Sequence, residues 1–233
     1  MRIVTWNLQR KRPTSPNGGK AIDHLRSFAP DIAILTEAWV DHLCPDFHHA
    51  DAGPTGIPHL GEEERKVVIA SRWPIHNINT ALNVPTDGRF VSAGIETPNG
   101  FLHVIGICIP WHASRVKSGD SKNWDDHRTF LRALSPVLRD ASQAPSLVAG
   151  DFNQRVPRSR QPRDVAALLE DVFHNFAIPT AGERPETGRQ LIDHVALSPS
   201  LQSKSVVSWS GELDGKKMSD HDGASLEISF TDS

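Results

Sequence analysis

The chain has 233 residues and a net charge of −3, with 38% hydrophobic and 23% charged residues. This length fits a single α/β domain over residues 1–233, and the charge balance excludes a uniformly basic nucleic-acid coat, so any anionic substrate must be met by local cations. Two cysteines, Cys44 and Cys108, are too few for a disulfide framework and favour a reducing compartment.

The first predicted elements alternate between strand and helix. Residues 2–8 form an apolar run typical of a buried strand, residues 20–28 carry apolar side chains at helical spacing, and residues 31–35 form a second short strand. Proline and glycine in residues 13–19 predict a loop, and residues 41–64 are predicted to be irregular. The strand–helix–strand order is the βαβ pattern, in which functional groups collect at the carboxyl ends of strands.

The remaining chain predicts more strands than helices. Residues 124–138 and 165–176 have helical spacing, and Pro136 is expected to kink the first of these helices. Strands are predicted at residues 66–71, 90–97, 101–110, 146–149, 191–197, 206–209 and 224–230, with a hairpin turn at 98–100. About nine strands and three or four helices indicate a mixed α/β domain with two packed sheets. We find no apolar stretch that predicts a signal peptide or a membrane span, so we expect a cytoplasmic location. We also expect a monomer.

Polar segments stand at the ends of apolar runs in five places, four beside earlier runs and one directly before the last run, residues 224–230. Carboxylate and amide oxygens bind hard cations, and an imidazole transfers or stabilises a proton near neutral pH. Singly, each segment is equally compatible with a strand-end cap, an Asx-turn or a solvated loop. The segments are Trp6-Asn7, Thr36-Glu37, Gly150-Asp151-Phe152-Asn153, Ile192-Asp193-His194 and Ser219-Asp220-His221.

In order and spacing, these five segments resemble the endonuclease/exonuclease/phosphatase superfamily, which includes AP endonucleases, secreted DNases, neutral sphingomyelinases and inositol polyphosphate 5-phosphatases. The resemblance extends over residues 3–230. It implies a DNase I-like, four-layer α/β/β/α sandwich of two packed mixed β-sheets flanked by helices. It also implies an Mg²⁺- or Mn²⁺-dependent phosphoester cleft at one sheet edge.

The resemblance implies a metal-binding role for three residues. Glu37 corresponds to the principal metal ligand, Asn7 supports it, and Asp220 shares the metal. Such an all-oxygen site is what Mg²⁺ prefers.

The resemblance also implies the catalytic roles. Asp151 and Asn153 orient the attacking water and the phosphate, while His221, held by Asp193, contacts the phosphoryl group. His194 is expected to be a packing residue.

The chain departs from the family pattern at two places. Gln9 stands where AP endonucleases carry an Asp, which leaves the metal site with one charge fewer. Where AP endonucleases have a Tyr and DNases a His, the chain reads Cys108-Ile-Pro110-Trp-His112, and it contains no tyrosine. Either His112 or water would then assist the leaving group.

Basic residues flank the proposed catalytic segments. If the strand ends converge, these residues form a positive rim that suits a polyanion, with Arg10 and Arg155 as candidate substrate-binding residues; they are equally compatible with ordinary loop charges. Trp39, Trp111 and Trp209 are candidate stacking platforms for a base or, alternatively, core residues. The basic clusters are Arg10-Lys11-Arg12, Arg155 to Arg163, and Lys216-Lys217.

We therefore interpret the chain as a divalent-metal-dependent phosphoesterase that cleaves phosphodiester bonds, with a nuclease as the leading hypothesis. The alternatives within the fold are phosphatases or phosphodiesterases acting on small molecules, inositol phosphates or lipid head groups. The alternative of another class is a phosphate-binding module without catalysis.

Overall fold

The computed structural model describes residues 1–40, 46–55, 61–114 and 122–231. Two large β-sheets pack face to face with helices on both outer surfaces, and a third sheet has only two strands. The elements in chain order are β1 (Arg2–Asn7), α1 (Pro16–Ser27), β2 (Ile32–Trp39), β3 (His48–Asp51), β4 (Glu64–Ser71), β5 (Ile75–Asn79), β6 (Phe90–Thr97), β7 (Gly100–Cys108), α2 (Asp125–Ala141), β8 (Ser146–Asp151), α3 (Arg163–Val172), β9 (Asp193–Leu197), β10 (Leu201–Trp209), β11 (Glu212–Leu213), β12 (Lys216–Lys217) and β13 (Gly223–Phe230). Sheet A has the order β10–β13–β1–β2–β4–β3, and sheet B has the order β5–β6–β7–β8–β9.

The alternation of side chains along the central strands produces the layers. Ile32 and Ile34 of β2 point into the core between the sheets, whereas Ala33 and Leu35 pack on the outer side, against α1. This is the period of two that a strand imposes on its side chains. Helices α2 and α3 cover the outer face of sheet B through a second apolar cluster. The predicted four-layer sandwich is thus confirmed.

Strand pairing brings the polar strand ends to one edge of each sheet. In sheet A, β1 and β2 are parallel with Asn7 opposite Thr36, and β2 and β4 are antiparallel in a register that sets Glu37 across from Lys66. Strand β13 runs antiparallel to β1 and begins beside the end of β1, so the residues that precede β13 reach the same edge.

Sheet B contributes a matching row at its own edge. Cys108 of β7 lies opposite Asp151 of β8, which in turn lies opposite Asp193 of β9. Arg89 directly precedes β6, and its backbone carbonyl accepts a hydrogen bond from Cys108 at 2.9 Å. Four polar or ionisable side chains therefore follow one another across the end of this sheet.

The helix boundaries differ from the predicted ones. Helix α1 begins at Pro16, not at residue 20, because the Ser15 hydroxyl accepts the Gly18 N–H at 3.1 Å and proline is suited to the first helical turn. Helix α2 continues through Pro136 to Ala141. Helix α3 ends at Val172, earlier than residue 176.

The predicted irregular region of residues 41–64 is corrected in part. Residues 48–51 form β3, which pairs with β4, while residues 41–45 and 56–60 lie outside the described residues. Strand β5 was not predicted, because its side chains are mostly exposed and lack the alternation of a half-buried strand. Within the described part of the chain, no helix combines the length and the apolar character that crossing a membrane requires.

Candidate active site

The turn before β13 is fixed to the end of β1 by side-chain hydrogen bonds. The Ser219 hydroxyl donates to the Asn7 carbonyl at 2.6 Å and accepts the His221 N–H at 3.1 Å, while Trp6 Nε1 donates to the His221 carbonyl at 2.9 Å. A Cβ at Gly211 would lie 2.2 Å from that same carbonyl oxygen, so only glycine allows this close approach. These contacts hold His221 beside the carboxyl end of β1.

His221 forms a tight pair with a buried carboxylate of the other sheet. Its Nδ1 lies 2.5 Å from Asp193 Oδ2, and Asp193 is fully buried at the start of β9. Burial alone would lower the pKa of His221, but the carboxylates of Asp193 and Asp151 raise it to about 10. The imidazole is therefore cationic at neutral pH and can donate hydrogen bonds to an anion.

Asp151 lies at the centre of the group and is held by two asparagines. Asn153 donates its backbone N–H to Asp151 Oδ1 and its Nδ2 to Oδ2, both at 2.8 Å, and Asn7 Nδ2 lies 3.3 Å from the same Oδ2. Burial raises the pKa of Asp151 to about 7, against the opposing effect of His221. A carboxylate in this range can accept a proton near neutral pH. Ligand atoms of Asp151, Asp193 and His221 all lie within 4.8 Å of one another.

Glu37 carries two cationic partners. Lys66 Nζ lies 2.7 Å from Oε1, and Arg10 Nε lies 3.3 Å from Oε2. Burial alone would raise the pKa of Glu37, but the two cations, Lys66 first, lower it. The carboxylate is therefore ionised at neutral pH and has the negative charge that a metal ligand needs.

Most of the predicted site residues line one cavity of about 490 Å³. Asp193 lies behind His221, and Arg155 borders an adjacent cavity of about 40 Å³ that Asp220 and His221 also line. His112 is not among the lining residues, since its ring packs between those of Trp111 and Trp124. The large cavity is lined by Asn7, Gln9, Arg10, Glu37, Lys66, Arg89, Cys108, Trp111, Asp151, Asn153, Asp220 and His221.

Two buried cations of this cavity, Lys66 and Arg89, were not predicted from the sequence. Arg89 Nη1 contacts the carbonyl and Sγ of Cys108 at 3.4 and 3.6 Å, and no carboxylate of the described residues forms an ion pair with its guanidinium. A buried cation without an anionic partner is costly unless a ligand supplies the anion. The available signal was a basic residue at the start of a buried strand, directly before Val67 or Phe90.

The other sequence candidates fall into distinct environments. The Cys108 thiol lies in the row of site residues, and burial, reinforced by Asp151, raises its pKa to about 12, so it stays neutral. His194 is buried and hydrogen-bonded to Thr180 and the Gln154 carbonyl, in agreement with a packing role. Arg158 and Arg160 of the predicted rim are exposed on a loop, and Lys216 and Lys217 are exposed on β12.

The donor set at this edge fits a hard divalent cation. Asn7 and Glu37 offer oxygen atoms to the cavity, and the buried Gln9 Oε1, which also faces this region, has no hydrogen-bond partner among the described residues. Orphaned buried oxygens are rare in proteins and are satisfied when a cation binds. The amide of Gln9 can thus contribute an oxygen, although without the charge of a carboxylate.

Comparisons with known proteins agree with this geometry. The model of the Endonuclease/Exonuclease/phosphatase family matches residues 4–221. A search of curated proteins found no match. An AP endonuclease from Archaeoglobus fulgidus superposes with a TM-score of 0.73 at 16% identity, covering 97% of this chain and 98% of that one.

Two structures of a Neisseria protein are also similar. One is described as the 3'-5' exonuclease NExo from Neisseria meningitidis, with a TM-score of 0.66, 19% identity and coverage of 97% of this chain and 99% of that one. The other is described as the 3' phosphatase NExo bound to product DNA hairpin, with a TM-score of 0.67, 18% identity and coverage of 98% and 99%. The chain belongs to the endonuclease/exonuclease/phosphatase family, whose members are hydrolases that act on phosphoester bonds.

Proposed function

We propose that this protein hydrolyses phosphodiester bonds of a nucleic acid with the help of a divalent cation. The observation that carries the proposal is the contact of His221 with Asp193 at 2.5 Å, next to Asp151 and in the cavity that Glu37 also lines. A cationic imidazole, a carboxylate able to accept a proton and an anionic metal ligand are the groups that phosphoester hydrolysis requires.

Glu37, Asn7 and Asp220 are the residues that would hold Mg²⁺ or Mn²⁺. When bound, the ion supplies a Lewis acid that neutralises charge on the phosphoryl oxygens. Glu37 has the main role, because it is the carboxylate of this set that is partly buried, while Asp220 is exposed at the rim of the cavity.

The chain's own residues provide the proton transfer and the charge stabilisation. Asp151, oriented by Asn153, accepts a proton from the attacking water as the new P–O bond forms. His221, kept cationic by Asp193, donates a hydrogen bond to the phosphoryl oxygens as negative charge develops on them. The leaving oxygen takes its proton from water, since His112, the other candidate for that role, does not line the cavity.

A nucleic acid is favoured over a small phosphoester by the distribution of cations. Arg10, Lys66 and Arg89 line the cavity, and Arg155 lines the adjacent smaller cavity. Cations at these separate positions can bind more than one phosphate of the same substrate. The similar structures include an AP endonuclease, an exonuclease and a complex with a DNA product, which supports the same substrate class.

A panel of substrates tests the proposal. Single-stranded DNA, duplex DNA, RNA, inositol polyphosphates and bis-p-nitrophenyl phosphate are incubated with the protein in Mg²⁺ or Mn²⁺. We expect an oligonucleotide to be cleaved, with an affinity that falls steeply with salt because several counterions are released.

Arg155→Ala should flatten that salt dependence and leave bis-p-nitrophenyl phosphate cleavage nearly unchanged. Arg160→Ala, an exposed loop arginine, is the matched control. Hydrolysis of inositol polyphosphates without cleavage of any oligonucleotide would contradict the nucleic-acid assignment.

A further inference from the structure

Trp111 is an exposed aromatic residue at the rim of the catalytic cavity. Its side chain is 51% exposed, whereas Trp39 and Trp209 are 8% and 7% exposed and belong to the packed interior. Among the described residues that line the cavity, Trp111 is the only one with an indole or phenyl ring. An indole left half in solvent beside a phosphate-binding site can offer its face to a ligand.

The backbone around Trp111 is tied directly to the catalytic residues. The Ile109 N–H donates to the Asp151 carbonyl at 2.8 Å, and Asn153 Nδ2 donates to the Ile109 carbonyl at 2.8 Å. Beyond the tryptophan, the Ser114 N–H donates to the Trp111 carbonyl at 2.9 Å and closes a turn. These hydrogen bonds fix the backbone that carries the indole relative to Asp151.

A chain of aromatic rings supports the indole from behind. Trp111 and His112 meet edge to face at 4.9 Å, His112 lies 5.6 Å from Trp124, and Trp124 meets His127 at 5.1 Å. His127 is fully buried in α2, and its Nδ1 is 2.7 Å from the Pro110 carbonyl. The rings thus connect the rim of the cavity to the core of the domain. Support of this kind reduces the entropy lost when a ligand stacks on the indole.

The other residues that line the cavity indicate which class of ligand would stack on Trp111. Apart from Trp111 and Cys108, the lining residues are polar or charged, and the other large exposed apolar residues of the described chain, Ile78, Phe101 and Val207, do not line this cavity. A lipid tail needs a continuous apolar surface, which is not offered here. One flat aromatic face beside cations suits a planar base attached to phosphate.

We propose that Trp111 forms a base-stacking subsite for a nucleotide that adjoins the scissile phosphate. This inference rests on the proposed nucleic-acid substrate and adds to it that the protein holds a base, unpaired on at least one face, as well as the phosphate backbone. It makes Trp111 a substrate-binding residue and assigns His112 a positioning role as the support of the indole.

Equilibrium binding tests the subsite without any turnover. Two fluorescein-labelled hexamers of equal charge are compared in EDTA by fluorescence anisotropy: hexathymidylate, and a hexamer of abasic tetrahydrofuran nucleotides. The wild type should bind the base-bearing hexamer more tightly. Trp111→Leu should weaken that binding by about tenfold, within the range measured for one base stacked on an aromatic side chain, and leave the abasic hexamer unchanged. Trp111→Phe should retain part of the affinity.

Phe101→Leu is the matched control, because Phe101 is 50% exposed but lies at the opposite end of β7, away from the cavity. It should change neither affinity. Equal losses on both hexamers in Trp111→Leu would assign the indole to the sugar–phosphate backbone and overturn the proposal. Equal binding of the two hexamers by the wild type would overturn it as well. Because no bond is cleaved, these results are independent of whether the protein hydrolyses a phosphodiester.

Discussion

Lys66 Nζ lies 2.7 Å from Glu37 Oε1, directly across the β2–β4 pair, so an ammonium group occupies one side of the proposed principal metal ligand. The side chain of Lys66 is 7% exposed, which makes this pair far less screened than a surface salt bridge. A divalent cation that binds Glu37 has to compete with Lys66 for that oxygen, and the two positive charges repel each other.

Replacing Lys66 by methionine should therefore tighten divalent-cation binding. Lys66→Met removes the competing charge and keeps most of the side-chain volume, and we expect Mn²⁺ affinity to rise about tenfold, a modest part of the interaction between charges at this distance. Calorimetric titration and the electron paramagnetic resonance of free Mn²⁺ measure it directly.

The same variant should show a larger increase of melting temperature with Mn²⁺ than the wild type, because its Glu37 has lost one partner in the metal-free state. Lys66→Arg is the control that retains the charge. Unchanged or weaker Mn²⁺ binding by Lys66→Met would refute the competition.

Asp193 and His221 are predicted to act as one unit. Asp193→Asn leaves the imidazole without its charged partner, so both Asp193→Asn and His221→Ala should lower kcat by about 10²-fold or more. The double variant should be little worse than the more damaging single one, because residues that act together are non-additive. Single-turnover rates of the wild type, the two single variants and the double variant on an oligonucleotide complete a double-mutant cycle. Additive losses of activation free energy would show that the two residues act independently.

Arg89 is predicted to bind a substrate phosphate, since its guanidinium is buried in the cavity and has no ion pair among the described residues. Arg89→Met should raise KM for an oligonucleotide about tenfold or more, in line with the loss of a hydrogen bond between charged groups. Arg89→Lys should recover part of the loss, because it retains the charge but not the fork of donors. A methionine variant with wild-type KM would remove Arg89 from the site.

Two buried histidines predict acid sensitivity of the fold. Burial lowers the pKa of His127 and of His194 from 6.5 to about 4. Between these values each of the two histidines binds a proton in the unfolded chain but not in the folded one, so each lowers the free energy of unfolding by up to about 3 kcal/mol as pH decreases from about 6.5 to about 4. Asp151, whose pKa is raised to about 7, contributes in the opposite direction.

Urea unfolding at pH 7, 6, 5 and 4 measures this slope. His127→Gln, which keeps a polar side chain near Gln154 and the Pro110 carbonyl, should make the slope shallower. The same slope in the variant and the wild type would show that His127 does not titrate as described.

The sequence was most informative where a functional group stands at or near one end of a strand. Asn7, Glu37, Asp151 and Asp193 could be predicted to converge because strand ends in a sheet share an edge, and the structure places all four in one neighbourhood. His221 could be added because it precedes the last strand, which returns beside β1.

The remaining features depend on long-range pairing that no local pattern reveals. Lys66 and Arg89 reach the cavity only because β4 pairs with β2 and because β6 pairs with β7, so their roles are set by the registers. The position of His112 also depends on packing, since its ring lies against those of Trp111 and Trp124 and it is not among the lining residues of the cavity. The start of α1 was missed because its first turn has the composition of a loop.

If this cavity hydrolyses phosphodiester bonds with a cation held by Glu37, cleavage must depend on both Glu37 and the cation. The most direct measurement is cleavage of a labelled single-stranded oligonucleotide by the wild type and by Glu37→Gln across a Mg²⁺ titration, with circular dichroism to verify that the variant is folded. We predict cleavage by the wild type that requires Mg²⁺ or Mn²⁺, and a loss of about 10²-fold or more in Glu37→Gln at every Mg²⁺ concentration. Full cleavage by the wild type in excess chelator, or cleavage by Glu37→Gln at the wild-type rate, would show that hydrolysis does not depend on a cation held by Glu37.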